Sequence, residues 1–339
     1  MPKYNISIVG ATGAVGLEFL KILAERRFPV KELRLFASPN SKGRKIKFKD
    51  TNLFVQTLND EAFRGTDIAF FSAGGRISKE WVPQAVKYGA IVIDNSPAFR
   101  TDKKIPLVVP EVNAHTLKTH NGIIANPNCA AIQLVVALKP LHDYGQIKRV
   151  IVTTFQSVSG AGLRAIYEMQ EETRSKISNS KFAIRNRIFP HPIAFNVIPQ
   201  IPQKNAFKNG TYTSEELKII NETKKIMGDN SIKVTVTCVR VPVYRSHSES
   251  VNIETIKPIS PIKAKALLRK ASGVKLWDVP SKELYPTPAE IDGKDEVFVG
   301  RIRKDDTIKN GLNLWVVADN LRKGAALNAI QIAEVLIKK

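Results

Sequence analysis

Cysteine is nearly absent: Cys129 and Cys238 are the two in 339 residues. Two thiols cannot build a disulfide framework, so a reducing, cytoplasmic setting is expected. Long hydrophobic runs are missing too, and no stretch approaches the roughly 18 continuous apolar residues of a membrane span. The opening MPKYNISIV carries no basic segment followed by an apolar signal core, so no secretory leader is expected. Acidic residues are scarce, 31 against 52 lysines and arginines, giving a formal net charge of +21. That excess suits polyanionic ligands, yet no RNA-binding aromatic pattern, zinc spacing or recognition helix accompanies it. The lysines are scattered, with short clusters such as RKIKFK, and read as a basic surface rather than a site for nucleic acid or membrane.

What is present is ordinary globular composition, 43% hydrophobic and 24% charged. At about 150 residues per domain the length suggests two domains. The first part alternates short apolar strands with amphipathic segments: 4–9, 32–38, 53–58, 67–72, 90–95, 106–110 and 122–125 read as strands. A helix follows the first, with Val15, Phe19, Ile22 and Leu23 on one face, ending near Pro29. Strands alternating with helices imply a Rossmann-like, doubly wound and mostly parallel α/β sheet. After about residue 148 the texture changes. Long β-branched runs, RVIVTTFQSVSG and IKVTVTCVRVPVYRSHSESVNIETI, predict an α+β domain with a mostly antiparallel sheet, and 214–228 a helix between them. The proline-rich stretch 179–209 reads as a long loop, and 325–339 as a closing helix.

Gly10, Gly13 and Gly16 fall between the first strand and the first helix. Glycine there permits a tight turn and close backbone approach, and the helix N-terminus offers free N–H groups to a pyrophosphate. The spacing GxxGxxG is weak evidence alone; its place at the first strand–helix junction makes dinucleotide binding the favoured reading. NAD enzymes carry an acid at the end of the second strand for the ribose hydroxyl. Here FASPNSKGRK supplies no acid but Ser38, Asn40, Ser41, Lys42 and Arg44, which suits a 2′-phosphate and points to NADP.

Cys129 stands where NPN halts one apolar run and CAAIQLVVAL begins another. A helix N-terminus stabilises a thiolate. Asn128 is placed to offer an amide, beside the Cys129 N–H, to a developing oxyanion, a donor typically worth about 3–4 kcal/mol in the transition state. A buried structural cysteine is the commoner fate of a lone thiol, and these residues by themselves favour that reading. Among five histidines, His247 sits in VYRSHSES where a long strand breaks, but spacing cannot bring it to Cys129.

The motifs GATGAVG, SAGG (72–75), NPNC (126–129), FQSVSGAG (155–162), EELK (215–218), RVPVYRSHSE (240–249) and the closing VGRIRKD…LNLWVVADNLRKGAA occur in one order. In that order the whole chain resembles the aspartate-β-semialdehyde dehydrogenase family. The resemblance implies an NADP-dependent, phosphorylating aldehyde dehydrogenase that interconverts L-aspartate-β-semialdehyde plus phosphate with β-aspartyl phosphate. That step leads to lysine or diaminopimelate, threonine, methionine and isoleucine. It implies Cys129 as nucleophile forming a thioester, His247 as general acid/base, and Gln156 orienting substrate. Arg240 would fork onto the α-carboxylate, Glu215 (or its neighbour Glu216) would hold the α-ammonium, and Arg100 and Lys218 would take the phosphate. Cofactor contacts are implied for Gly10, Thr12, Gly13, Ala14, Val15 and Gly16, for Ser38, Asn40 and Ser41, for Ser72, Ala73 and Gly74, and for Ser159, Gly160, Asn320 and Lys323. Many relatives carry arginine where this chain has Asn40, so Lys42 or Arg44 would supply that charge.

The division this implies is an NADP-binding domain at 1–128, completed by 321–339, and a catalytic and dimerisation domain at 129–320. A homodimer, or a pair of dimers, is the implied assembly. N-acetyl-γ-glutamyl-phosphate reductase and acyl-CoA reductases share the chemistry, but an acetylated nitrogen gives a glutamate no ammonium to bind. A silent NADP-binding sensor is the non-enzymatic alternative; the retained cysteine, histidine, glutamine and arginine argue against it.

Overall fold

The computed structural model describes residues 2–179, 187–207 and 210–338. The chain divides into two compact units, the first formed by Met1–Asn128 with Ala325–Lys339 and the second by Cys129–Gly324. The return to the first unit thus begins at Ala325, a few residues later than the 321 expected.

The first unit holds strands β1 (Tyr4–Val9), β2 (Val30–Phe36), β3 (Lys45–Phe48), β4 (Thr51–Gln56), β5 (Ile68–Phe71), β6 (Ile91–Asp94) and β7 (Ile123–Ala125). They form one sheet in the order β3-β4-β2-β1-β5-β6-β7, parallel except for the β3–β4 hairpin. Helices α1 (Ala14–Glu25), α2 (Gly75–Lys87) and α3 (Pro110–Asn113) connect them. On α1, Phe19, Ile22 and Leu23 bury fully against Ile6, Ile8 and Phe70. The closing helix Leu327–Ile337 joins the same core, and Arg26 clamps its Glu334 through two bonds of 2.7 Å. The sheet order reverses at β1, between β2 and β5, and in open α/β sheets ligands bind outside the strand ends at such a point.

Two details differ from the sequence reading. Lys45–Phe48, read as part of a basic cluster, is strand β3, with Ile46 and Phe48 buried and Lys45 and Lys47 outward. The run 106–110, read as a strand, makes only the single bridge Leu107–Ala125. Prolines at both its ends lack an N–H for a ladder, and Pro110 opens α3 instead.

The second unit contains α4 (Cys129–Gly145), β8 (Ile147–Gln156), α5 (Leu163–Ile177), α6 (Ser214–Met227), β9 (Lys233–Arg240), β10 (His247–Thr255), α7 (Pro261–Lys270), β11 (Val274–Leu276), α8 (Pro288–Ile291), β12 (Val297–Asp305) and β13 (Gly311–Ala318). The sheet order is β11-β12-β13-β10-β8-β9. The β12–β13, β13–β10 and β10–β8 pairs are antiparallel, while β11–β12 and β8–β9 are parallel. Helix α4 packs against this sheet and against α6 and α7, which is why its sequence is apolar nearly all round. The proline-rich stretch falls partly outside the described residues; within them, Glu168 and Glu172 of α5 accept backbone N–H bonds from Ile188, Phe189, Ile193 and Ala194. Among the described residues no helix is long and apolar enough to cross a membrane.

Candidate active site

Helix α4 begins at Cys129 itself, so the thiol occupies the first helical position, where unpaired N–H groups and the helix dipole favour a negative charge. It is half-buried, whereas Cys238 is fully buried in β9. Burial first, then the nearby Glu215 carboxylate, pushes the Cys238 thiol well up, so that group stays protonated and unreactive.

His247 is the first residue of β10, and its side chain is fully buried. Its Nε2 lies 3.3 Å from Cys129 Sγ although the two residues are 118 apart in sequence. Nδ1 lies 3.1 Å from the Ser157 backbone N–H, which donates to it, and 3.1 Å from Ser157 Oγ. Burial first, and then the Arg240 guanidinium, drive the imidazole pKa down to about 3, so the ring is neutral near pH 7.

Arg240, at the end of β9, is buried; its Nη1 donates to Ser157 O at 2.5 Å. Its Nε has no hydrogen-bond partner among the described residues. A buried, unpaired guanidinium donor is costly, and an anionic ligand would satisfy it. Burial lowers the Arg240 pKa while Glu215 and Cys129 oppose that shift.

The two glutamates of α6 part company. Thr213 and Glu216 form a capping box: Glu216 Oε2 accepts from the Thr213 N–H at 2.7 Å, and Oε1 accepts from the Cys238 N–H at 3.0 Å. Both Glu216 oxygens are therefore occupied by backbone. Glu215 is paired with Lys218 Nζ at 3.0 Å and acts electrostatically on Arg240 and His247. Gln156, at the end of β8, is buried and donates from Nε2 to Thr154 Oγ1 at 3.3 Å.

Two glycines border these groups. A Cβ on Gly160 would stand 3.1 Å from Arg240 Nη1 and 3.4 Å from His247 Nε2, and one on Gly324 would stand 3.0 Å from Cys129 Cβ. Ser159 and Asn320 hydrogen-bond each other, and Asn320 Oδ1 lies 3.1 Å from Ser157 Oγ. Lys323 is buried in a π-helical turn, Arg322–Ala326.

A second polar layer sits beneath the cysteine and histidine. Gln133 lies one turn further along α4 and Glu249 two residues further along β10; both are fully buried. Neither Glu249 oxygen meets full hydrogen-bond geometry with a described residue, although the Gln133 side chain acts to lower its pKa; burial outweighs that and raises it well above the ordinary carboxylate value. A neutral Glu249 can donate to the facing Gln133 amide. Because the folded-state pKa is raised, this group's stabilising contribution is complete below pH about 4.5 and is lost as pH rises through the folded value. Glu249→Gln, which keeps the shape and a donor, is expected to raise the melting temperature by several degrees at pH 8 and to leave it unchanged at pH 4. Equal melting temperatures at both pH values would show that the carboxyl is not held neutral.

In the first unit, Arg100 is buried and donates from Nε to Asn126 O at 2.9 Å and from Nη2 to Asn95 O at 2.6 Å. Asn328 Nδ2 donates to Asn126 Oδ1 at 2.7 Å, fixing the NPN segment that ends in the buried Asn128. The Gly10–Gly16 turn fits a dinucleotide. Gly10 has φ +89°, and a Cβ there would lie 2.4 Å from Ser72 O, so this turn and the Ser72–Gly74 turn touch through backbone alone. Gly13 and Gly74 precede α1 and α2 with no side-chain cap and no acid in either first turn, leaving N–H groups for phosphate. Ala14, Val15 and Gly16 open α1. Thr12 Oγ1 lies 3.5 Å from Ser41 Oγ, while Ser38, Asn40, Lys42 and Arg44 are exposed.

The sequence reading did not single out Ser157, Gln133 or Glu249. The capping-box signature Thr213-x-x-Glu216, by contrast, was available to separate Glu216 from Glu215.

Residues 5–120 match the semialdehyde dehydrogenase NAD binding domain, and residues 138–323 the semialdehyde dehydrogenase dimerisation domain. A dinucleotide-binding unit followed by a unit with a helix-capped thiol against an imidazole defines the semialdehyde dehydrogenase class. The aspartate-semialdehyde dehydrogenase of Aquifex aeolicus (strain VF5) is 53% identical over 339 residues, covering 99% of this chain and 98% of that one. An aspartate semialdehyde dehydrogenase II from Vibrio cholerae, solved complexed with ASA, superposes with a TM-score of 0.95 at 46% identity, covering 100% of this chain and 99% of that one. The Candida albicans aspartate semialdehyde dehydrogenase with NADP gives 0.74 at 26% identity, covering 99% and 98%. The chain belongs to the aspartate-semialdehyde dehydrogenase family and is an oxidoreductase.

Proposed function

We propose that the enzyme catalyses the reversible, NADP-dependent conversion of L-4-aspartyl phosphate to L-aspartate-4-semialdehyde and phosphate, through a thioester on Cys129. The observation that carries this reading is the 3.3 Å contact between Cys129 Sγ and His247 Nε2 at the start of α4.

In the reductive direction Cys129 Sγ attacks the acyl carbon, the C–S bond forms, the acyl–phosphate C–O bond breaks and phosphate leaves. A nicotinamide cofactor held by the first unit would supply the hydride for reduction of the acyl group. The resulting hemithioacetal on Cys129 collapses to the aldehyde and frees the sulfur, with His247 Nε2 giving and taking the proton. Asn128 and the Cys129 N–H stabilise the oxyanion, and Gln156 orients the acyl group. The open Nε and the planar fork of Arg240 suit the substrate α-carboxylate. Glu215, whose neighbour is occupied by the cap, suits the α-ammonium, and Lys218 and Arg100 the phosphate. A free amine favours aspartyl over N-acetylglutamyl substrates.

For the cofactor, Gly10–Gly16 and Ser72–Gly74 would hold the pyrophosphate, and Ser38, Asn40 and Ser41 with Lys42 or Arg44 the 2′-phosphate. Ser159, Gly160, Asn320 and Lys323 would border the nicotinamide end. We assign the enzyme to the cytoplasm as a homodimer, or a pair of dimers, serving lysine or diaminopimelate, threonine, methionine and isoleucine synthesis. The test follows NADPH absorbance with aspartate semialdehyde and phosphate, with NAD in parallel and a phosphate-free control. Phosphate-dependent turnover favouring NADP is expected. No turnover in folded protein that binds NADP would sink the substrate assignment.

A further inference from the structure

On β8 the buried positions alternate, Val150, Val152, Thr154 and Gln156, so all four share one face of the sheet. Toward the site two apolar residues give way to two polar ones. Thr154 stands opposite Cys238 on β9 and Glu249 on β10, and Gln156 stands opposite Arg240. The polar row of the site thus has a second polar row directly behind it. Thr154 and Cys238 are fully buried and Gln156 nearly so, so water does not stand in for their hydrogen bonds. Valine has the same branched shape as threonine and would bury there with no hydroxyl to satisfy. Packing alone gives no reason for Thr154.

The hydroxyl has one hydrogen, and Cys238 takes it. Thr154 hydrogen-bonds the Cys238 sulfur, and the Glu215 and Glu216 carboxylates acting on Cys238 favour its own S–H hydrogen on their side. With its hydrogen spent, Thr154 Oγ1 can only accept from Gln156. Gln156 Nε2 lies 3.3 Å from that oxygen and 4.0 Å from Cys238 Sγ, so the –NH2 end of the amide is the end turned back into the sheet. The other end is an acceptor. On aspartate semialdehyde the α-ammonium is the donor that an acceptor can meet. Glu215 acts on both Cys238 and Arg240, the two residues opposite Thr154 and Gln156, so an ammonium held by Glu215 lies on the Gln156 side. We propose that Thr154 is a positioning residue for Gln156: its hydroxyl holds the amide in one sense, with Nε2 inward and Oε1 left to accept from the substrate α-ammonium. Gln156 thereby orients the acyl group from the α end of the substrate.

The inference rests on the reaction proposed above, and its test separates the two. Thr154→Val keeps the shape and removes the acceptor, so the amide can turn its –NH2 toward the ammonium. KM for aspartate semialdehyde is expected to rise about tenfold, with kcat falling no more than about threefold. Thr154→Ser should restore most of the binding, an order that a packing role does not produce. Added to Gln156→Ala, Thr154→Val should cost nothing further, because the residue acts through an amide no longer there. Succinic semialdehyde, which lacks the ammonium, should be turned over poorly by the wild type and no worse by Thr154→Val. A wild-type KM in Thr154→Val, a second tenfold loss in the double variant, a parallel loss with succinic semialdehyde or failure of serine to restore binding would each overturn the proposal. A readout without turnover is the Gln156 side-chain –NH2 in ¹⁵N spectra, assigned from Gln156→Ala. It should resist solvent exchange in the wild type and in Thr154→Ser, and lose that protection in Thr154→Val. Should the valine variant fold poorly, the wild-type spectrum decides: an –NH2 exchanging as fast as that of an exposed glutamine excludes the assignment. Absence of turnover in the wild type counts against the reaction, and the ¹⁵N spectra then judge Thr154 alone.

Discussion

Cys129→Ala is expected to abolish turnover, lowering kcat by on the order of 10⁴-fold or more, while melting temperature and NADP binding stay near wild type. The size of the effect follows from position. Sγ stands at the first position of α4, 3.3 Å from His247 Nε2, where the proposed thioester would form. Stability should be spared because the residue is only half-buried and alanine is a good helix former. Cys129→Ser is expected to fare little better, since a hydroxyl is far harder to ionise than a thiol. Iodoacetamide should label one cysteine with loss of activity, and peptide mapping should place it at Cys129. Cys238 is fully buried, with its thiol pushed up by burial and by Glu215, and should react only on unfolding. Activity in Cys129→Ala, or labelling at Cys238 first, would remove the thioester from the mechanism.

The features legible in the sequence are those fixed by neighbours along the chain. Alternation in YNISIV, the glycine turn after it and the apolar run after NPNC each report local geometry, and β1, the Gly10–Gly16 turn and α4 lie where those patterns are. Strand β3 was obscured because its alternation, Lys-Ile-Lys-Phe, was weighed as charge. Its two buried residues share a face with period 2, but four residues are too few for the pattern to outweigh the lysines. The error at 106–110 ran the other way: apolar residues satisfied a burial requirement without a ladder, because the flanking prolines deny it. The meeting of Cys129 with His247 is beyond any local pattern. It depends on α4 lying across a sheet in which β10 pairs with both β8 and β13, and only the order of motifs pointed to it. Ser157 was invisible for a related reason. Its role comes from a strand end, β8, held beside the start of β10, and serine at a strand end has no signature of its own.

Arg240→Lys, the second large effect, is expected to raise KM for aspartate semialdehyde by about 100-fold, equivalent to about 2.7 kcal/mol of lost binding, with a smaller fall in kcat. Charge alone predicts a conservative change; geometry does not. The guanidinium spends Nη1 on Ser157 O at 2.5 Å and still presents an Nε with no partner among the described residues, so one planar group can hold the backbone and fork onto a carboxylate together. An ammonium is a single compact centre on a shorter reach and must choose between them. Burial works against the replacement as well. It already lowers the Arg240 pKa, and a guanidinium stays charged through such a shift, whereas a lysine in the same place is drawn toward its neutral form. The loss should therefore ease at lower pH, where the ammonium is retained, until protonation elsewhere in the site limits the rate. A KM within about threefold of wild type would assign the carboxylate to another group and leave Arg240 as a buried clamp on the Ser157 carbonyl.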